Sequence, residues 1–216
     1  KVAAGDAHAA ALVSYREAAV DVGPRVVKVS CYAWGYNDRL QLGFGAKATK
    51  DANEGQSKPR RVEGLDALPG TLADVACGGS HTAVLTRKGD VFAWGDNGAG
   101  QCGKLNKAPS ADPHRLEVPK AAKVLCGRHA TLCVADDGGA YLFGALNTGG
   151  TDSHTPTSFD LTVSDAAGPA ARSDGRDTLA KFERSLATAA PDFVASDVKD
   201  AAVSEAHCLL LKTNGR

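Results

Sequence analysis

The sequence predicts an all-β chain folded as part of a β-propeller. Three observations carry that expectation: one supersecondary unit recurs along the chain, each copy holds two short apolar arms around a charged turn, and the arms run into a loop rich in Gly and Asn. A recurring unit fixes an architecture before any single residue has a role, because each unit buries its apolar faces only against its neighbours. The best-formed copy runs from Val75 to Gly103, VACGGSHTAVLTRKGDVFAWGDNGAGQCG. One constant offset superposes Cys77 on Cys126, Gly78 on Gly127, Gly89 on Gly138, Phe92 on Tyr141 and Gly95 on Gly144. An earlier copy is split: Ala4 to His8 matches Cys77 to His81, and CYAWGYNDRLQLG from Cys31 matches VFAWGDNGAGQCG from Val91. A fourth begins at Ala201, with His207 in the place of His81 and Leu209 to Leu211 in that of Ala83 to Leu85.

The arms Thr82 to Thr86 and Val91 to Trp94 read as a β-hairpin, β-branched and aromatic, closed by Arg87-Lys88-Gly89-Asp90 with Gly for a positive φ. Ala9 to Val13 with Cys31 to Trp34, and Thr131 to Ala135 with Ala140 to Phe143, are the same pair in the neighbouring copies. Gly95 to Gly100 is too rich in Gly and Asn for a strand and is expected to be a loop whose Asn and Asp bond their own main chain. A Pro-x-x-apolar step follows each loop, Pro59 to Val62, Pro113 to Leu116 and Pro156 to Phe159. Four short strands per copy is the unit of a propeller blade. The third copy is degenerate: its His stands one place early at His129, Ala130 occupies the aligned position, and Leu146 to Gly150 lacks the Gly-Gln-Leu-Gly ending. The fourth reads Ser204-Glu205-Ala206-His207, with no Gly before the His.

These residues resemble the regulator-of-chromosome-condensation repeat family, whose blades pair an Ala/Cys-Gly-x-x-His-Thr stretch with a Tyr/Phe-x-Trp-Gly-x-Asn-x-x-Gly-Gln-Leu-Gly stretch. The positions carrying the likeness are Gly5, His8, Trp34, Gly35, Gly78, His81, Trp94, Gly95, Gly127, Gly144 and His207. The resemblance implies a seven-bladed ring, which repeats over 2–43, 75–103, 124–150 and 201–216 cannot close. The chain is therefore expected to be a partial ring and an incomplete chain, with the remaining blades supplied elsewhere; it begins at Lys1 and contains no Met. The resemblance also implies two functions, a non-enzymatic protein-interaction scaffold and, as the alternative, a guanine-nucleotide exchange factor for a Ran-like small GTPase. The related plant ultraviolet-B photoreceptors gather many tryptophans, whereas this chain has Trp34 and Trp94 alone. Ubiquitin ligases with such propellers need a separate catalytic domain.

Two stretches break the repeat. Ser14 to Ser30 replaces the four-residue turn of the second copy by a lengthened hairpin turning at Gly23-Pro24, with Val20 and Val22, then Val27 and Val29, alternating with polar residues. A projecting two-stranded ribbon is marginal alone, so it is expected to pack on the rim or on a partner, with Tyr15, Arg16, Glu17, Arg25 and Lys28 as candidate contacts. The stretch 151–195 is polar and small in its first half. In its second half Leu179, Phe182 and Leu186 follow a possible Asp177 cap and precede Pro191, the pattern of one short amphipathic helix in a long loop. The loop Gly45 to Arg61 carries Lys47, Lys50, Lys58, Arg60 and Arg61, diluted by Asp51 and Glu54, and reads as solvated.

Lys plus Arg equals Asp plus Glu at 25 each. That balance argues against affinity drawn mainly from nucleic-acid phosphates. No apolar run reaches membrane-span length, so no membrane role is expected. The six cysteines contain no CxxC pair and stand at small apolar repeat positions: Cys77 and Cys126 align with each other, Cys31 with Val91, Cys133 with Val84, Cys208 with Thr82 and Cys102 with Leu42. Buried free thiols suit a reducing, intracellular compartment, nucleus or cytoplasm. His8, His81 and His207 are equivalent positions on successive blades, so they form no cluster, and each is read as bonding backbone within its own blade. No catalytic, cofactor or metal constellation stands apart from the repeat.

Overall fold

The computed structural model describes residues 1–16, 27–45, 55–68, 70–145, 192–203 and 208–212. Three four-stranded antiparallel sheets and one two-stranded sheet follow in chain order. The first blade consists of β1 (Val2–Ala4), β2 (His8–Arg16), β3 (Val27–Gly35) and β4 (Gln56–Arg61). The second has β5 (Leu72–Cys77), β6 (His81–Thr86), β7 (Val91–Gly95) and β8 (Ser110–Arg115). The third has β9 (Ala121–Cys126), β10 (Ala130–Ala135), β11 (Ala140–Gly144) and β12 (Asp192–Ala195). Of the fourth, β13 (Val198–Val203) pairs with β14 (Cys208–Lys212). Among the described residues the one helical segment is a 3-10 turn at Leu65–Ala67.

The register reproduces the sequence repeat. His8 pairs with Gly35, His81 with Gly95 and Ala130 with Gly144. Each of these glycines has φ near +100°, and a Cβ there would strike the main chain around the facing His or Ala, which is why the third strand of each blade ends in Gly. Side chains alternate along each strand between two neighbours. Val84, Phe92 and Trp94 join a core with Ala10, Cys31 and Ala33 of the first blade, whereas Ala83, Leu85, Val91 and Ala93 join one with Val124, Cys133 and Phe143 of the third. Leu132, Val134 and Leu142 face Val198. The core is thus a series of layers between blades.

Two sequence expectations need correction. The outer strand of the third blade is β12, whose Asp192 pairs with Leu142 and Phe193 with Tyr141, so the Pro-x-x-apolar step of that blade is Pro191 to Val194 in place of Pro156 to Phe159. The far end of the 151–195 stretch therefore belongs to a blade; the expected helix from Asp177 and the step from Pro156 lie outside the described residues. Likewise the end of the Gly45 to Arg61 loop is β4, paired with β3 through Tyr32 and Arg61. Pro59 and Pro113 sit on outer strands, where a missing N–H costs no ladder bond. Lys47 and Lys50 are outside the described residues.

Candidate interaction faces and the blade junctions

The loops after the third strand of a blade are held by their own side chains. Asn37 Oδ1 accepts from the Leu42 N–H at 2.9 Å and Asn97 Oδ1 from the Cys102 N–H at 3.0 Å. Gln41 accepts from the Arg39 N–H through Oε1 and donates to Asp38 through Nε2; Gln101 does the same with the Ala99 N–H and Asp96. This fixes the Gln main-chain carbonyls against the next blade. The Gln41 carbonyl accepts from Thr82 Oγ1 at 2.8 Å and from the Trp94 indole at 3.0 Å; the Gln101 carbonyl accepts from Thr131 Oγ1 at 2.8 Å.

The histidines complete these junctions. His8 Nε2 lies 3.0 Å from Thr82 Oγ1, and His81 Nε2 lies 2.9 Å from Thr131 Oγ1. The expectation of a bond to backbone within the same blade is corrected: each imidazole clasps the following blade through a threonine. Because the threonine gives its proton to the Gln carbonyl, it must accept from the histidine, which assigns the proton to Nε2 and leaves Nδ1, buried and without a hydrogen-bond partner, as a bare acceptor. Burial lowers His8 to about 4 and His81 to about 3, so both are neutral. Each ring lies against a glycine, Gly5 or Gly78, where a Cβ would overlap it. At the third junction Ala130 and Cys208 occupy the His and Thr positions. His207 lies outside the described residues.

Two faces result. On one, the loops at Gly5, Gly78 and Gly127 surround a cavity of about 260 Å³ lined also by Cys77, Cys126 and Arg128. Arg128 Nε meets Asp6 at 3.2 Å. The thiols are inert there, since burial raises Cys77 to about 12 and Cys126 well above the usual range, and all six cysteines are free. Among the described residues no three His, Cys, Asp or Glu side chains are grouped to hold a metal ion.

The opposite face carries the hairpin turns and the links between blades. Asp90, buried in the second-blade turn, accepts from Lys120 Nζ at 2.8 Å and Arg115 Nη2 at 2.9 Å, and these bonds hold its carboxyl below the usual range. Here the β2–β3 hairpin projects. Its strands stay paired out to Arg16 and Val27, whereas β1 pairs no further than Ala11 and β4 no further than Tyr32. Val13 is 45% and Val27 53% exposed, while Val29 packs against the core between the first two blades. Of the candidate contacts, Tyr15, Arg16 and Lys28 lie on this hairpin, with Tyr15 opposite Lys28, and Glu17 and Arg25 are outside the described residues. The sequence did not single out Asp90; its recurrence signal is absent, because Ser30 and Gly139 occupy that place in the neighbouring blades.

With the repeat geometry in place, comparison with known proteins assigns it. The family model described as "Regulator of chromosome condensation (RCC1) repeat" matches residues 30–85 and 88–134. These residues carry RCC1 repeats. The human "Probable E3 ubiquitin-protein ligase HERC3" is 36% identical over 121 residues, 55% of this chain and 11% of that protein. The chain thus spans about a tenth of that relative's length. Human WBSCR16 superposes on 99% of the chain and 44% of its own with a TM-score of 0.63 at 19% identity. Saccharomyces cerevisiae Prp20p, whose structure was described with its binding properties to Gsp1p and histones, covers 67% of the chain and 32% of its own at a TM-score of 0.51 and 24% identity. These two show the propeller fold. No helix among the described residues is long and apolar enough to cross a membrane.

Proposed function

We propose that this RCC1-repeat chain is a non-enzymatic protein-interaction scaffold that presents its turn face, and above all the β2–β3 hairpin, to a protein partner. The observation that carries the reading is the hairpin itself: an insertion into a blade that closes without it, extending past both outer strands with Val13 and Val27 uncovered. Tyr15, Arg16 and Lys28 are the described contacts of this reading, and Glu17 and Arg25 are its further candidates outside the described residues. The reported binding of Prp20p to Gsp1p and histones supports a partner-binding use of such a propeller. Inert thiols suit a reducing, intracellular setting.

Exchange on a Ran-like GTPase is the second reading, and it rests on the same hairpin. An element pressed against a nucleotide site promotes release by stabilising the nucleotide-free state, which needs differential binding and no catalytic triad. The test replaces Tyr15 to Lys28 by the Arg-Lys-Gly-Asp turn of the second blade. The blades should keep their melting transition while partner capture in pull-down is lost. Capture unchanged by the replacement would exclude the hairpin, and exchange activity persisting in that variant would exclude it as a nucleotide-displacing element.

A further inference from the structure

The chain is neutral overall, yet its turn face is not uniform. Residues at equivalent turn and link positions change sign between the second and third blades. The second-blade turn offers Arg87 and Lys88, both exposed; the third-blade turn offers Asp136 and Asp137 there, also exposed. The link residue before β9 is Lys120, and the one before β13 is Asp197. Their equivalence is fixed by the next residue, since the Ala121 N–H donates to the Gly89 carbonyl and the Val198 N–H to the Gly138 carbonyl.

The basic side is also ordered. The stem of Lys88 lies over Gly70 and that of Lys120 over Gly89, each so close that a Cβ on the glycine would press on it. Asp90 tethers Arg115 and Lys120 together. Asp90 offsets one of these two cations and Glu117, 3.6 Å from Arg115, the other, so the positive surplus of this side is that of Arg87 and Lys88. The heads of Arg115 and Lys120 and the stem of Lys88 are placed before any ligand arrives, which lowers the entropy lost on binding. Arg16, on the projecting hairpin, adds a cation to the same face.

We propose that the turn face of the first two blades docks an acidic protein segment, which the aspartates of the third blade hold in register by repulsion. This rests on the scaffold reading and names the chemistry of its partner. Opposite potentials speed and orient encounter, and like charges on the wrong side penalise misplacement. A neutral chain whose charge is separated on one face can select an acidic peptide without the general polyanion affinity of a basic protein.

The probe is a glutamate-rich peptide titrated into the full chain at low and physiological salt. Binding should weaken about tenfold or more with Arg87→Glu plus Lys88→Glu and lose most of its salt dependence. Both residues are exposed, so an unchanged melting transition checks the fold. Asp136→Ser plus Asp137→Ser should not weaken binding. The shortened-hairpin protein keeps Arg87, Lys88, Arg115 and Lys120 and should hold the peptide within about threefold. Peptide affinity within about twofold after the charge reversal overturns the inference while leaving the hairpin reading to its own pull-down. Tighter binding of duplex DNA than of the peptide also overturns it, by making the surface a phosphate site.

Discussion

The second blade is joined to both neighbours by a histidine clasp, and the third is joined to the fourth without one. At the first two junctions a buried imidazole, a threonine and a Gln carbonyl form a closed chain of hydrogen bonds. At the third, Ala130 and Cys208 stand at both ends of the missing bond, and what remains includes the Gly138 to Val198 main-chain bond and the exposed Lys123–Asp200 pair at 2.7 Å. The paired loss is instructive. Removing one partner of a buried hydrogen bond strands the other at the cost of its desolvation, whereas replacing both by apolar groups is nearly neutral. Phe143, in the place of Trp94, is by contrast a single replacement at the second junction, where the Gln101 carbonyl keeps Thr131 Oγ1 as its donor. The clasp of the third junction is thus lost as a pair, whereas the indole bond is lost alone where its acceptor has a second donor.

The largest effect expected from this comparison is at Gly78. A methyl group there would overlap the His81 ring and the Gly127 carbonyl oxygen, so the second junction must open or shift. Gly78→Ala should destabilise the chain by roughly 3 kcal/mol or more, read as a lower urea midpoint, as for other overpacked cores. Gly64→Ala, where the added Cβ meets nothing within 4 Å, calibrates the strain of a positive φ alone. Equal losses at the two sites would show that the clasp is loosely packed.

Acid comes next. His8 and His81 titrate near 4 and 3 in the fold, against 6.5 for an ordinary histidine. Their folded values lie below the unfolded one, so the unfolded chain binds more protons as pH falls through 6.5. The stabilisation is complete above that pH and declines below it, until each folded value is passed. By pH 5 the loss should be on the order of 2 kcal/mol per histidine. Urea midpoints at pH 7 and pH 5 measure it, and His8→Ala should reduce the difference by about half. A midpoint that ignores pH over this window would mean the rings are hydrated.

How much of this was legible beforehand follows from what repeats. The hairpins, the terminal glycines and the equivalence of Cys102 with Leu42 were readable because both members recur at fixed offsets, and a period-2 pattern with Gly at each end has few alternative folds. The His–Thr bond was invisible as a pair: His8 and Thr82 sit far apart in sequence, and each looked complete within its own blade. β12 was missed because the segment before it interrupts the period, so Pro156 was the nearest match to a step that Pro191 supplies. The sign change between Arg87-Lys88 and Asp136-Asp137 is plain in the sequence. It acquired meaning only when the sheet register placed both turns on one face.

A smaller effect isolates the clasp itself. In a double-mutant cycle of His81→Ala and Thr131→Val, each single change leaves a buried polar atom stranded, while the double change strands neither of that pair. The coupling should be about 1–2 kcal/mol, with the double variant less destabilised than the two single losses combined. The same cycle on Ala130→Val and Cys208→Val should give coupling within about 0.5 kcal/mol. Coupling of similar size at both junctions would show that the hydrogen bond is not what distinguishes them.

The smallest expected effect is a gain, obtained by writing the clasp into the junction that lacks it. Gly127 stands where Gly78 seats the His81 ring, and Ala130 and Cys208 hold the two positions the bond needs. Ala130→His alone should destabilise, because the new ring would bury an unanswered donor. Cys208→Thr alone should be close to neutral, since that side chain is only half-buried and its hydroxyl keeps access to water. Together they should recover the loss and add about 1 kcal/mol to the attachment of the fourth blade. The readout is hydrogen exchange of the β13 and β14 amides, which should slow about fivefold relative to the parent chain while those of β6 and β7 stay unchanged. Faster exchange in the double variant than in Ala130→His alone would mean that the third junction differs in shape and not merely in its hydrogen-bonding residues.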